Sequence, residues 1–330
     1  MPSNILKSAK KSYDGRNWDL AAKLAYKVLK LDDKSDDARI ILFKALVRIN
    51  PDNPSKEQDE ILKQLEEHNH PNTNYLKGFR ELKRHKFLDA ITYFYSALNS
   101  GDKSIPVYRD LSECLYLVGN IKDAKKQISL VINKYKISNR YILDIAAKIA
   151  IEDKDFDNAD LYIEKLELYD YKENVEHRKA TYALAKGDYL NALEHSNNAC
   201  NSTSPLPQML LLRMKINIIL NRYSDVEKDY KTLNNMWADK DVLNILYARM
   251  LLEREGWESA EKAFENIPNK STSYACNLKP KILSTKLSNG ILPLYVKKQI
   301  EEEIRQLAAY SNGDLLNKSQ YFEANNIDID

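Results

Sequence analysis

The residues able to do chemistry are few and scattered. His68 and His70 stand two apart beside Glu66 and Glu67, near enough in sequence to grip one transition metal together. No third or fourth ligand accompanies them, so a solvated loop before Pro71 is the better reading. The His68-Asn69-His70 string also lacks the ββα setting of a nuclease. His85 falls in a turn, and His195 lies among small residues on a helix, where packing outweighs catalysis. No serine occupies a G-x-S-x-G elbow and no cysteine carries a local catalytic signature. Carboxylate pairs abound, but with 30% of residues charged they describe a solvated surface rather than an acid–base site. The chain reads as non-catalytic, with no metal and no cofactor expected.

Composition points the same way. The 330 residues include only 8 glycines, and neither G-x-G-x-x-G nor G-x-x-x-x-G-K-[ST] occurs, which removes the usual nucleotide cradles. Fifty basic residues against 48 acidic ones leave +2, so nothing in the balance demands nucleic acid or an anionic membrane. Cys114, Cys200 and Cys276 are far apart and never form C-x-x-C, as expected of reduced thiols in a core. The opening residues show no apolar signal region, and the most apolar stretch, Met209 to Leu220, is interrupted by Arg213, Lys215 and Asn217. A cytoplasmic protein without membrane insertion is the expectation.

The elements that must position any site are organised by a repeat. Seven anchors are each followed three residues later by a small residue. They are Trp18/Ala21, Phe87/Ala90, Ile121/Ala124, Phe156/Ala159, Tyr189/Ala192, Tyr223/Val226 and Trp257/Ala260. Successive anchors are 69, 34, 35, 33, 34 and 34 residues apart, so one degenerate unit lies inside the first gap. Nine residues before the anchors stand Ala9, Gly78, Ser112, Ala147, Ala180, Met214 and Ala248. Ten residues after them stand Val28, Ala97, Val131, Leu166, Ala199, Leu233 and Ile267. Two antiparallel helices approach to 8–10 Å only where small side chains sit at their crossing, which is what such spacing supplies. Lys30 and Glu261 fall on outer helix faces in this phase.

The pattern closely resembles the tetratricopeptide repeat: a small residue in helix A, an aromatic opening helix B, alanine one turn on. The glycine of the A–B turn is clear only at Gly119 and Gly187, with Gly15 and Gly256 displaced by one, and the closing proline is mostly missing. The resemblance implies an all-α, right-handed α-solenoid of about eight helix pairs. The units lie near 3–34, 35–70 (degenerate), 71–104, 105–139, 140–172, 173–206, 207–240 and 241–270. In the degenerate unit the spacing predicts helices over Asp37–Val47 and near Glu57–Glu67. Beyond the last pair, Ser273–Leu287 and Leu292–Ala309 form a C-terminal cap within 271–310, with Glu301, Glu302 and Glu303 on its solvated side. A polar, loosely ordered tail is expected over 311–330.

In this family the first helices line a concave groove that holds extended or helical peptide, so the resemblance implies a protein- or peptide-binding scaffold or regulatory adaptor. The residue eight before each anchor should face the groove: Lys10, Phe79, Glu113, Lys148, Thr181, Lys215 and Arg249, with Lys44 in the degenerate unit. Neighbouring turns add Tyr13, Arg48, Tyr75, Lys83, Arg109, Tyr116, Tyr141, Asp144, His177 and Arg178. Lysine and arginine beside tyrosine suit an acidic segment of a protein partner. The bland alternative is a wall kept soluble by long charged side chains. Two other functional classes fit the same scaffold: a regulatory or substrate-holding part of a larger enzyme, such as surface-polysaccharide or secretion machinery, and an RNA-binding helical repeat. Glu113, Asp144 and Glu253 interrupt the basic stripe and count against RNA.

Overall fold

The computed structural model describes residues 2–51, 53–136, 139–201, 205–236, 240–267 and 273–313, with side chains of 273–277 and 306–313 outside that description. The expectation for the tail beyond Gly313 lies outside the described residues. Every element found is a helix. The first helices of the pairs are α1 (Pro2–Asp14), α3 (Asp36–Ile49), α5 (Thr73–Lys83), α7 (Ile105–Leu117), α9 (Arg140–Glu152), α11 (Lys172–Ala185), α13 (Pro207–Ile219) and α15 (Asp241–Arg254). Their second helices are α2 (Trp18–Leu31), α4 (Lys56–Glu67), α6 (Phe87–Asn99), α8 (Ile121–Ser129), α10 (Phe156–Leu166), α12 (Tyr189–Ala199), α14 (Tyr223–Met236) and α16 (Trp257–Glu265). All seven sequence anchors are the first residue of a second helix. Helix α8 runs on into one π-helical turn, Leu130–Lys134.

The spacing translates directly into burial. The small residues three after the anchors, Ala21, Ala90, Ala124, Ala159, Ala192, Val226 and Ala260, are all 0% exposed. Ala9, Ser112, Ala147, Ala180, Met214 and Ala248, nine before them, are equally inaccessible. Gly78 holds the same position, and a Cβ added there would lie 2.6 Å from Phe94, whose ring is itself fully buried. At each crossing, close approach excludes water and interlocks the two backbones.

The turns explain why the glycine signature is faint. The residue two before the second helix is left-handed in six pairs: Arg16 (φ 61°), His85 (φ 58°), Gly119 (φ 75°), Lys154 (φ 55°), Gly187 (φ 77°) and Asn221 (φ 56°). The turn geometry persists where its preferred residue does not. The next residue then caps the helix: Asn17, Asp155 and Asp188 accept hydrogen bonds from the Leu20, Asn158 and Asn191 amides at 3.1, 3.3 and 3.3 Å. Lys154 is exposed at its turn. Lys154→Gly should therefore stabilise the fold by roughly 0.5–1 kcal/mol by removing the steric cost of the left-handed conformation, as chemical denaturation would report. An unchanged or lower midpoint would contradict this account.

The chain divides into two compact units, Met1–Tyr116 with Lys122–Lys136, and Leu117–Ile121 with Ile137–Asp330. In the first unit α3 packs on both α1 and α5; in the second, α9, α11, α13 and α15 pack in succession. The second helices lean chiefly on the first helices beside them. Within each unit the first helices thus form the tighter, inner layer. Helix α17 (Ser273–Asn289) packs against α18 (Leu294–Gly313), with Ile282, Leu283 and Ile300 buried and Glu301, Glu302 and Glu303 exposed. Glu261 departs from the bare outer position expected of it. The Lys286 ammonium of α17 reaches it at 2.7 Å while lying 4.6 Å from the Trp257 ring centroid, so α17 occupies that face.

Candidate functional site

In the first unit the inner layer brings charge and aromatic rings from four helices together. The centre is Asp110 on α7, 2% exposed. Its Oδ2 accepts from the Tyr75 hydroxyl of α5 at 3.0 Å, and its Oδ1 from Arg109 Nε at 2.6 Å. Burial alone would raise this carboxyl, but the Arg109 guanidinium beside it and the Tyr75 hydroxyl hold it below the usual carboxylate range. Asp110 is thereby fully engaged with its own wall.

Around that centre stand cations without such partners. Lys44 Nζ on α3 lies 4.8 Å from the Tyr75 ring centroid. Lys83 Nζ lies 5.6 Å from the Phe79 centroid, and the Arg48 guanidinium 5.4 Å from that same ring and 5.7 Å from Trp18. Among the described residues none of the three makes an ion pair with a carboxylate, and Arg48 Nε is buried without a hydrogen-bond partner. The Arg48 charge acts on Tyr13 of α1, whose own ionisation is pushed up by burial. Burial lowers the ammonium pKa of both Lys44 and Lys83, the direction taken by a cation removed from water without compensation. Glu113 is the one further carboxylate acting on Lys83 besides Asp110.

In the inner layer of the second unit, Lys148, Arg178 and Arg249 make direct ion pairs. Lys148 reaches Asp144 at 3.0 Å one turn away on α9, and Arg178 Nη2 of α11 reaches the same carboxylate at 2.7 Å. Burial opposes ionisation of Asp144, yet Arg178 and Lys148 hold it far below its ordinary range. Arg249 pairs with Glu253 at 3.3 Å, again one turn on. His177 is 6% exposed with neither ring nitrogen hydrogen-bonded; burial, then the adjacent Arg178 charge, push it down to about 3. It is a neutral wall residue at physiological pH.

The residues expected at the groove therefore separate into several environments. Lys10 is exposed on α1, and Glu113 and Tyr116 are half-buried on α7. Tyr75 and Phe79, at 4% and 3%, form the floor under the cations rather than a ligand-facing surface. Lys215 is buried at 8% on α13. Tyr141 is exposed and stacks on Arg140, whose guanidinium carbon lies 4.6 Å from its centroid. Asp110 was not among the sequence candidates. Its only sequence signal is its place one repeat beyond Tyr75, 35 residues on.

Among the described residues of these layers no nucleophile is brought together with a base. Burial pushes the Cys114 thiol up and the Cys200 thiol to about 11, so neither is a thiolate near neutrality. His195 Nδ1 donates to the Glu176 carboxylate at 2.9 Å and helps to join α12 to α11, while His68 lies 3.0 Å from Asp36. Among the described residues no three His, Cys, Asp or Glu side chains converge on a metal position, and no described helix is long and apolar enough to cross a membrane.

No protein-family model matches the sequence, and no curated protein is significantly similar to it. Solved structures share the backbone. A Rap protein complexed with competence and sporulation factor superposes with TM-score 0.63 at 14% identity, over 96% of this chain and 99% of that one. A tetratricopeptide repeat protein from Parabacteroides merdae ATCC 43184 gives 0.50 at 13%, over 94% and 98%. A chain of the APC/C hetero-tetramer Cut9–Hcn1 gives 0.61 at 13%, covering 92% of this chain but 55% of that one, so this chain spans about half its length. At these identities the likeness is one of fold: the chain has the helix-pair solenoid of tetratricopeptide-repeat proteins.

Proposed function

We propose that this chain is a non-catalytic scaffold that captures a segment of another protein on the inner layer of its first unit. The observation that carries this reading is the contrast between the two inner layers. Lys44 lies over Tyr75, and Arg48 and Lys83 lie over Phe79, with no direct ion pair to a described carboxylate, whereas Lys148 and Arg249 are already paired within their own helices. Buried or half-buried cations are ordinarily neutralised, and a wall that leaves three of them open favours an anionic partner. The Rap protein with the same backbone was solved in complex with competence and sporulation factor, which supports capture of another molecule by this kind of solenoid. An acidic segment would gain charge-assisted hydrogen bonds there, and its affinity would fall with salt.

Affinity capture followed by mass spectrometry tests the reading. Lys44→Gln with Lys83→Gln removes two charges without introducing a carboxylate, and should reduce recovery of the natural partner at least tenfold. Lys148→Gln with Arg249→Gln, in the compensated layer, should leave recovery within about twofold, because an exposed or paired charge contributes little. Equal behaviour of the two double variants would remove the inner layer of the first unit from consideration.

A further inference from the structure

We propose that a second binding surface, independent of the inner layer of the first unit, lies in the second unit at the starts of α9 and α11, and that it takes a proline-rich segment in polyproline II conformation. Four large side chains stand in water there. Leu168, Tyr169 and Tyr171, in the turn between α10 and α11, are 78%, 52% and 69% exposed, and Tyr141 on the first turn of α9 is 48% exposed. Arg140 joins the two helix starts: its guanidinium carbon lies 4.6 Å from the Tyr141 ring centroid and 5.9 Å from that of Tyr171. Apolar residues exposed singly are ordinary. Tyrosines grouped around an arginine have instead the composition of an interface centre.

The hydrogen-bonding inventory selects the occupant. Arg140 Nη1 lies 3.9 Å from Asp170 Oδ1, and that oxygen also accepts from the Tyr171 amide at 2.8 Å and the Asn174 side chain at 2.9 Å. Asn139 Oδ1 is taken by the Tyr141 and Ile142 amides at 3.1 and 3.2 Å. Arg140 Nη2 donates to the Tyr141 hydroxyl at 2.6 Å. Of the other charges in this stretch, Glu167 pairs with Lys179 at 2.6 Å, and Lys172 and Glu173 stand side by side with opposite signs. The side-chain acceptors thus serve the protein itself, while the Tyr169 and Tyr171 hydroxyls make no hydrogen bond among the described residues. An occupant gains there by offering carbonyl acceptors and apolar faces without bringing N–H donors or net charge. Proline has that chemistry: it carries no N–H, and in polyproline II its carbonyls remain open to a partner while its rings pack on aromatic faces. Residues on one side of that helix recur every third position, about 9 Å apart, a reach suited to two rings gathered by one guanidinium. The segment is already extended when free, so little conformational entropy opposes its capture.

The test titrates the full chain into a labelled decaproline peptide and follows fluorescence anisotropy, with a glycine–serine peptide and a polyglutamate peptide of equal length for comparison. Decaproline should bind saturably and with little dependence on salt, because no net charge is neutralised. The glycine–serine peptide should bind at least about tenfold more weakly, having no preformed helix and no rings to stack. Tyr141→Ala and Tyr171→Ala should each weaken decaproline at least about fivefold while leaving the melting temperature nearly unchanged, since both side chains are exposed. Tyr171→Phe, which keeps the ring and loses only the hydroxyl, should lose no more than about threefold. Lys44→Gln/Lys83→Gln should bind decaproline as the parent does. Absence of saturable binding overturns the proposal, as does equal affinity for the glycine–serine peptide or tighter binding of polyglutamate. Decaproline binding that survives in Tyr141→Ala/Tyr171→Ala, or that is lost in Lys44→Gln/Lys83→Gln, would place the peptide elsewhere and overturn it too. Because the two surfaces carry different residues, failure here leaves the reading of the first unit standing, and failure of that reading leaves this one.

Discussion

Ala159→Arg should unfold its own helix pair and cost the second unit at least about 4 kcal/mol. Ala159 is 0% exposed on α10 and belongs to a core with Leu143, Ala147, Ile163 and Leu166. Two penalties combine there: overpacking a site that holds only a methyl group, and burying a guanidinium in an apolar core. Solenoid stability is close to a sum of unit and nearest-neighbour terms, so the damage should be local at first. Hydrogen exchange should show loss of protection concentrated in α9 to α12, while α1 to α6 keep theirs. Lys30→Ala, at an exposed position on α2, should change stability by no more than about 0.5 kcal/mol. Full retention of stability in Ala159→Arg would mean that the crossing is not where the repeat places it.

The second large effect concerns His177 and acid. Its pKa falls from 6.5 to about 3 in the folded chain, so between those values the unfolded state binds a proton that the folded state does not. Stability contributed by this residue is complete above pH 6.5 and is lost as pH falls below it. At about 1.4 kcal/mol per pH unit, lowering the pH from 7 to 5 should remove roughly 2 kcal/mol through His177 alone. Asp144, which faces it, is held ionised well below that interval by Arg178 and Lys148. His177→Leu should flatten this pH dependence. It should also raise stability at pH 7 by about 1–3 kcal/mol, because both ring nitrogens are buried without hydrogen bonds and leucine carries no such groups. Urea denaturation of both proteins at pH 7 and 5 gives the answer: parallel losses in the two would show that His177 is solvated.

The helix pairs were legible in the sequence because their determinants are local. An aromatic followed at fixed distance by a small residue is a statement about one crossing, and each of those small residues is inaccessible in the structure. Helix limits were legible to within a few residues: the helices read over Asp37–Val47 and Ser273–Leu287 run over Asp36–Ile49 and Ser273–Asn289. The binding surface was harder to read because it depends on which charges are cancelled. Asp144 with Lys148, and Arg249 with Glu253, sit four residues apart and could be paired from sequence alone. The pairing of Asp144 with Arg178 spans 34 residues, and that of Asp110 with Tyr75 spans 35. Those require knowing which neighbouring helices present the two side chains at the same height. The residues expected to form one basic ladder therefore differ in three dimensions: Lys148, Arg178 and Arg249 make direct ion pairs, while Lys44, Arg48 and Lys83 lie against aromatic rings.

The left-handed turns bear on how such a chain drifts over evolutionary time. Replacing glycine at one of them by lysine, arginine, histidine or asparagine costs only about 1 kcal/mol, a weak purifying pressure that many lineages can absorb. Enlarging the alanine at a crossing costs several times more and is removed quickly by selection. Mutation should therefore erode the turn letter first and the crossing letter last. Arg16, His85, Lys154 and Asn221 hold the left-handed φ without glycine. A turn defined by its torsion rather than by its residue is compatible with a shared fold at 13–14% identity.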